Sequence, residues 1–230
     1  MPLKILYQDP WLVAIYKPAG IHVHPTPLSR HETTVMQLLR NQLDQWVYPV
    51  HRLDRGTAGV LLFGLDSQTS SRLGHTFQNR DIQKTYLALT RGWLPDEGTL
   101  ETPVRAKEEK EHKSAFTGYR CLKKIELPFA VGPYSSARYS LVSLHPKTGR
   151  RHQLRVQLSK ANHPIVADRL YGDGRHNQFF LQHFHWKRIL LFATSLELAH
   201  PVTNEPLQLH TGLDIEAQRL FDQLGLQSAC

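Results

Sequence analysis

Residues 51–65 read HRLDRGTAGVLLFGL and place one carboxylate, Asp54, among basic side chains, directly before a continuous apolar run. The glycines interrupt regular structure, whereas Val60–Leu65 is apolar enough for a strand that is buried on both faces. Positive charge from Arg52 and Arg55 favours the ionised form of the carboxylate between them. Such a carboxylate can act as a nucleophile or base, although the residues alone also allow a turn aspartate that binds its own backbone.

Short apolar runs that resemble strands flank this stretch on both sides. The candidates are LKILY, WLVAIYK, YLAL, ARYSLVSL, ILLFATSLEL and LQLH. Helical periodicity is clearest in three stretches: a helix that Thr33 or Thr34 could cap and that runs through Gln42, Ser67 to Asn79, and Asp214 to Leu224. Because strands and helices do not alternate regularly, the sequence predicts an α+β fold, with a mixed, mainly antiparallel sheet and flanking helices.

Composition limits the class of protein and the kind of partner. The chain has 230 residues, and its 28 Lys and Arg against 20 Asp and Glu give a net charge of +8. This balance favours a polyanionic partner such as nucleic acid, or serves only solubility. Cys121 and Cys230 offer neither a disulfide framework nor a metal-binding pair, so we expect a cytoplasmic protein. The apolar stretch from Trp11 to Tyr16 is too short to span a membrane.

Familiar cofactor and hydrolase motifs are absent from the sequence. It contains no G-x-G-x-x-G, no P-loop, no G-x-S-x-G and no H-E-x-x-H. Residues 162–177 and the pair His183 and His185 are rich in histidine and aspartate, but their spacing matches no standard zinc or calcium loop. We therefore expect no bound metal, and we expect residues 162–177 to form a loop that contacts RNA.

A second basic segment, residues 145–158, reads HPKTGRRHQLRVQL and clusters three arginines. If its glycine leads into a short helix, Arg151 and Arg155 lie one turn apart on the same face. Such a face can bind phosphates, pair with a carboxylate elsewhere, or simply be solvated. Tyr86 lies in the segment QKTYLA, where a strand tyrosine either packs in the core or stacks on a base.

Together, HRLDRGTAG, KTYLAL and GRRHQLRVQL resemble the motif series of the pseudouridine synthases of the ribosomal large subunit synthase A family. KPAGIHVHP and HPIVADRLYGDGRHN extend this resemblance over nearly the whole chain. The resemblance implies an isomerase that converts a uridine in RNA to pseudouridine without a cofactor, at a central cleft of the family fold. It also implies a single catalytic domain over residues 1–230, with no N-terminal RNA-binding domain and no obligate protein partner.

The same resemblance assigns catalytic roles to three residues. Asp54 matches the essential aspartate of the family, and Tyr86 matches the tyrosine that stacks on the target base. Arg155 matches the arginine that pairs with the aspartate. We therefore expect these three side chains to form the reaction site.

The resemblance also indicates how RNA is bound. Arg52 matches an arginine that holds the target nucleotide out of the RNA stack, and we expect Arg150, Arg151 and Arg175 at the RNA-facing rim. HPKTGRRHQLR and GDGRHN are similar to the branch of the family that modifies tRNA, which implies uridine 65 of the T stem as the target. At position 151 the family more often has threonine.

Other functions remain open from the sequence. The protein could instead modify ribosomal RNA, or bind RNA on the same fold without catalysis. A metal-dependent nuclease or hydrolase is a further alternative, but the sequence lacks the cluster of carboxylates that such an enzyme needs.

Overall fold

The structure is a computed structural model that describes residues 2–25, 31–105 and 111–226. The chain divides into two compact units. The first comprises Met1–Lys84 and Ala193–Gly212, and the second comprises Thr85–Phe192 and Leu213–Cys230. Each unit therefore combines an early and a late segment of the sequence. A single catalytic domain over residues 1–230 stays a prediction.

The described residues form ten strands and five helices. In chain order they are β1 (Lys4–Gln8), β2 (Leu12–Lys17), α1 (Val35–Leu43), β3 (Tyr48–Pro49), β4 (Ala58–Gly64), α2 (Ser67–Asn79), β5 (Ile82–Arg91), β6 (Glu97–Leu100), β7 (Thr117–Leu127), β8 (Ala137–Pro146), α3 (Gln153–Lys160), α4 (Gly174–Phe184), β9 (Leu191–Ala199), β10 (Pro206–His210) and α5 (Ile215–Gln223).

The first unit is built on antiparallel strands. β2 pairs with β1 and β4, β4 also pairs with β3, and β10 pairs with β9. Every residue of β4 is buried, as its apolar run predicts. Helix α2 contributes Leu73 to a core with Leu12, Val60, Leu62 and Leu196. The strand that follows the Asp54 loop is thus held by neighbours and by the core.

The caps of α1 and α2 follow local sequence chemistry. Thr34 forms a capping box with Gln37, in which each side chain binds the backbone N–H of the other residue. Asp66 caps α2 by accepting the backbone N–H of Thr69 at 2.8 Å. Both helices end at a residue in the left-handed conformation. The helices predicted after Thr34 and over Ser67–Asn79 are confirmed.

The second unit also contains antiparallel strands. β5 pairs with β8, β8 with β7, and β7 with β6. Helix α3 packs Leu154 and Leu158 into a core with Ala88, Val142 and Leu144. The mainly antiparallel α+β architecture predicted from the sequence is confirmed.

The predicted placement of Arg151 on a helix is wrong. Helix α3 begins only at Gln153, because its N-cap His152 adopts the left-handed conformation with φ of 56°. Arg151 lies in the turn before this residue. It therefore does not share a helical face with Arg155.

The predicted loop over residues 162–177 is wrong at its C-terminal end. Helix α4 begins at Gly174. The side chain of Asp173 accepts the backbone N–H groups of Arg175 at 2.9 Å and His176 at 3.3 Å. An aspartate in this capping position satisfies donors that the first helical turn leaves unpaired, so the helix starts inside the stretch we read as loop.

The described residues contain neither a membrane-spanning helix nor a cluster of potential metal ligands. Over residues 2–25, 31–105 and 111–226, no helix is both long and apolar enough to cross a membrane. Across the same ranges, no group of three or more His, Cys, Asp or Glu side chains is arranged to hold a metal ion.

The close approach of β4 to β9 generates a test of stability. Gly59 has φ of +126°, and a Cβ atom there would lie 2.0 Å from the carbonyl oxygen of Ala193. Gly59→Ala should lower the free energy of unfolding by ~3 kcal/mol or more, because it adds backbone strain and a clash with main chain. Urea denaturation followed by circular dichroism measures this loss.

Gly74→Ala is the matched control. A Cβ atom at Gly74, within α2, meets nothing within 4 Å. Because alanine favours helix over glycine, stability should stay constant or rise by up to ~1 kcal/mol. Equal losses in the two variants would contradict the steric explanation.

Candidate active site

The loop that carries Asp54 is fastened to the end of β2 by a buried lysine. Lys17 has no exposed surface. Its Nζ donates hydrogen bonds to the carbonyl oxygens of Pro18 at 2.9 Å, Arg55 at 3.2 Å and Thr57 at 2.8 Å. These carbonyls match the three N–H donors of an ammonium group. Lys17 therefore fixes the backbone directly after Asp54.

Arg55 adds a second connection to the turn after β2. The backbone N–H of Gly20 donates to the Arg55 carbonyl at 2.7 Å, and Arg55 Nε donates to the Gly20 carbonyl at 2.8 Å. Gly20 has φ of +90°, a backbone conformation that glycine adopts most readily. The KPAG and HRLDRGTAG motifs thus form one hydrogen-bonded assembly around Asp54.

His51 fixes the other side of the loop. Its Nε2 accepts the backbone N–H of Leu62 at 3.0 Å, just beyond the short pairing of β3 with β4. The ring stacks on Phe77, with centroids 4.6 Å apart. Burial, assisted by the positive charge of Lys84, lowers the pKa of His51 to about 3. His51 is therefore neutral near pH 7 and serves as an acceptor for the backbone.

Asp54 and Arg52 both lie on this loop in the first unit. Asp54 is half-buried, its carbonyl accepts the backbone N–H of Thr57 at 3.1 Å, and Arg52 is exposed. Burial lowers the pKa of Lys17 to about 7, while the negative charge of Asp54 acts in the opposite direction. The carboxylate of Asp54 thus helps the buried ammonium group to keep its proton.

Tyr86 lies on β5 in the second unit. It is half-buried and is paired in register with Leu144 of β8. Its ring packs against the core that contains Ala88 and Leu144. A tyrosine in this setting is anchored by packing of its ring against the core.

Arg155 is held on α3 by Asp168. Its Nε and Nη2 donate to the two carboxylate oxygens of Asp168 at 2.7 and 2.8 Å, and the two side chains are 14% and 1% exposed. The guanidinium also lies 5.1 Å from the ring centroid of Tyr171. A bidentate charged pair of this kind fixes the orientation of the arginine. Our reading of the sequence missed Asp168, although the quoted ADRLYG segment contains it.

Two buried glutamines set the position of α3. Gln157 Nε2 donates to the carbonyl oxygens of Leu100 at 2.8 Å and Ala115 at 3.1 Å, and its Oε1 accepts the hydroxyl of Thr117 at 2.7 Å. Gln153 Nε2 donates to that hydroxyl at 2.9 Å. The two glutamines are four residues apart, so both amides lie on one face of the helix. This spacing is the sequence signal from which their shared role could have been predicted.

The arginines predicted at the RNA-facing rim are exposed and lie in two places. Arg150 and Arg151 precede α3, and Arg150 Nε donates to the carbonyl of Ser114 at 3.3 Å. Arg175 lies in the first turn of α4 and its guanidinium lies close to Gly132. A Cβ atom added to Gly132 would be 3.0 Å from Nη1 of Arg175. The structure therefore brings Arg150 and Arg151 together and places Arg175 beside the connection between β7 and β8.

The burial of Lys17 predicts a specific pH dependence of stability. Its folded-state pKa of about 7 lies below the ordinary value of 10.5. The unfolded chain therefore binds more protons between these values, so the stability linked to Lys17 rises with pH across this window and is lost as pH falls through 7. Relative to Lys17→Met, wild type should gain up to ~1 kcal/mol per pH unit between about pH 7 and 10.

Urea denaturation at a series of pH values measures this difference. Lys4→Met is the control, because Lys4 is exposed on β1. Lys4→Met should show the same gain in stability with pH as wild type, because it keeps Lys17. A constant difference between wild type and Lys17→Met would contradict the predicted linkage.

The Arg155–Asp168 pair predicts a large loss of stability when one partner becomes neutral. Asp168→Asn leaves a mostly buried guanidinium beside an amide, which should lower the free energy of unfolding by ~3 kcal/mol. Asp96→Asn is the control, because Asp96 pairs with Lys124 while its side chain is 92% exposed. Urea denaturation should show no measurable change in the control. If Asp168→Asn and Asp96→Asn lowered the free energy of unfolding equally, burial of the Arg155–Asp168 pair would have no energetic role.

Comparison with known proteins connects this geometry to a family. Residues 11–160 match the family model described as RNA pseudouridylate synthase. The tRNA pseudouridine synthase C of Vibrio cholerae is 46% identical over 238 aligned residues, which cover 99% of this chain and 98% of that protein. The protein of the same name from Haemophilus influenzae is 43% identical, with 98% and 99% covered.

Solved structures agree with this family assignment. The human RNA pseudouridylate synthase domain containing 4 superposes with a TM-score of 0.73 and 25% identity, covering 96% of this chain and 93% of that chain. The human RNA pseudouridylate synthase domain containing 1 has the same TM-score at 24% identity, with 92% and 83% covered. Since the family model spans more than half of the chain and the relatives span nearly all of it, the protein belongs to the RNA pseudouridylate synthase family.

Proposed function

We propose that this protein is a tRNA pseudouridine synthase that isomerises uridine 65 of the T stem, acting as a single catalytic domain in the cytoplasm. The observation that carries the proposal is similarity over nearly the full length to proteins named tRNA pseudouridine synthase C. The fixed loop around Asp54 supports it independently, because the reaction needs a carboxylate held at the nucleotide.

The proposed reaction is an isomerisation. The N1–C1′ bond of uridine breaks, the base rotates within the site, and a new bond joins C5 to C1′, while C5 loses a proton and N1 gains one. Since no net oxidation or reduction occurs, the proposal requires no redox cofactor. Asp54 is the residue that acts on the nucleotide, by attack on C1′, by attack on C6 or by assisting a glycal route. All three routes need an ionised carboxylate whose position is set before substrate binds.

Two further residues have proposed roles that follow from the family resemblance. We assign Tyr86 to stacking on the target base and Arg155 to pairing with the catalytic aspartate. The bidentate bond to Asp168 keeps the Arg155 guanidinium in one orientation.

RNA binding must bring a base out of its helix. Extrusion costs a few kcal/mol, which stacking and backbone contacts offset. We assign Arg52 to holding the extruded nucleotide, because it is exposed on the same loop as Asp54. The exposed residues Arg150, Arg151 and Arg175 are assigned to phosphate contacts.

Tritium release from tRNA transcripts labelled at C5 of uridine tests the activity. Wild type should release tritium, and Asp54→Asn should slow release by roughly a thousandfold or more because the reacting carboxylate is lost. Asp44→Asn is the matched control, because Asp44 is an exposed helix C-cap in the left-handed conformation, which asparagine also adopts. Full activity of Asp54→Asn would show that Asp54 is not the catalytic residue.

The target position needs a separate experiment. A tRNA transcript in which uridine 65 is replaced by cytidine should lose the tritium release seen with the unchanged transcript. Retained release would contradict this position while leaving tRNA as the substrate. Release from ribosomal RNA fragments alone would contradict tRNA and support the ribosomal alternative.

A further inference from the structure

The second unit contains a cavity that the proposed reaction does not use. It has a volume of about 670 Å³ and lies beside the connection between β7 and β8. Aromatic, hydroxyl and basic side chains line it, including Arg91, Trp93, Tyr134, Ser136, Arg138 and His176, and no acidic side chain is among its described lining residues. Ligand-binding cavities typically measure ~300–1,000 Å³, so this one is large enough for a nucleotide.

Two aromatic rings at this cavity are unusually exposed. The exposed fractions of Trp93 and Tyr134 are 42% and 71%. Trp93 is nevertheless fixed, because its Nε1 donates to the carbonyl of Ile125 at 3.1 Å and the guanidinium of Arg138 lies 4.2 Å from its ring centroid. Exposed aromatic rings are the usual platforms on which unpaired bases stack.

Both arginines of the cavity are also fixed while still partly exposed. Arg91 donates to Asp173 and to the carbonyl of Asn162, and its side chain remains 34% exposed. Arg138 donates to Glu126 at 3.2 Å and remains 55% exposed. Side chains that are already ordered lose little entropy when a phosphate binds. Their fork of N–H donors suits phosphate oxygens.

The remaining basic side chain of the cavity carries little charge. His176 shares a hydrogen bond of 2.9 Å with the hydroxyl of Tyr139, and burial lowers its pKa from the ordinary 6.5. It is therefore neutral near pH 7. The positive charge of the cavity comes from Arg91 and Arg138, and exposed Arg175 lies close by against Gly132.

The cavity is separated from Tyr86 along one strand. Arg91 is the last residue of β5, five residues after Tyr86. At ~3.3 Å per residue, the two positions are ~16 Å apart along the strand. A single nucleotide does not span this distance, whereas a folded RNA does.

We propose that this cavity is a second contact site for the tRNA substrate. It binds one unpaired nucleotide, with the base against Tyr134 and Trp93 and the phosphate on Arg91 and Arg138. The inference rests on the proposed function, because it takes tRNA as the substrate. Unpaired RNA is favoured over a helical stem because only an unpaired base can offer its face to an aromatic ring. The contact adds affinity and leaves the reacting uridine untouched.

Substitutions at Tyr134 and Arg138 test the site in the full-length protein. Tyr134→Leu should raise the Kd for fluorescently labelled tRNA by about tenfold, because it removes one stacking surface, whereas Tyr134→Phe should bind like wild type. Arg138→Gln should reduce the slope of log Kd against log salt by about one. In tritium release, KM should rise with Kd while kcat at saturating tRNA stays constant.

Lys4→Gln controls for loss of one exposed positive charge elsewhere, on β1. If Tyr134→Leu and Arg138→Gln bind tRNA as tightly as Lys4→Gln, the cavity is not an RNA site, even where wild type modifies tRNA. If wild type modifies no tRNA but the two variants still lose binding, the cavity is a contact site for tRNA and the proposed isomerase activity is wrong. Circular dichroism verifies that each variant is folded.

Discussion

The buried ammonium group of Lys17 is the constraint on which the loop around Asp54 depends. A lysine without exposed surface is costly unless protein atoms replace its lost water, and here three backbone carbonyls do so. The dependence is mutual, because moving the loop would remove the carbonyls of Arg55 and Thr57, two of the three acceptors of the ammonium group. The position of Asp54 is thus set by the fold before any RNA arrives, as electrostatic catalysis requires.

The second unit reaches the same result with different chemistry. A buried carboxylate, Asp168, orients Arg155, and the amides of Gln153 and Gln157 tie α3 to the start of β7 and to neighbouring backbone. Apolar packing of Leu154 and Leu158 alone would permit small shifts of the helix, whereas satisfied polar groups specify one arrangement. In both units, buried polar contacts add directional precision to a core whose apolar contacts are less directional.

Local sequence signals predicted the elements whose causes are local. A threonine cap before α1 and the apolar run of β4 each act within a few residues, and the structure shows a capping box at Thr34 and a fully buried β4. The left-handed conformation of His152 has no such signal, so Arg151 was misplaced. The candidate site was predicted from the resemblance of motifs and not from local signals, because Lys17 and its acceptors Arg55 and Thr57 are 38 and 40 positions apart in sequence. Periodicity and composition cannot pair residues over such distances.

The net charge of +8 is a poor measure of the RNA-binding surface, because the cations do different work. Arg155 and Arg188 are mostly buried and bound to carboxylates, so they orient other groups and add little to the field at the surface. Salt-dependent RNA binding requires cations that can reach phosphates, and Arg52 and Arg175, which we propose as RNA contacts, are exposed. Charge counting treats all these residues alike. The exposure of each guanidinium and the identity of its partner distinguish arginines that stabilise the fold from arginines that can contact RNA.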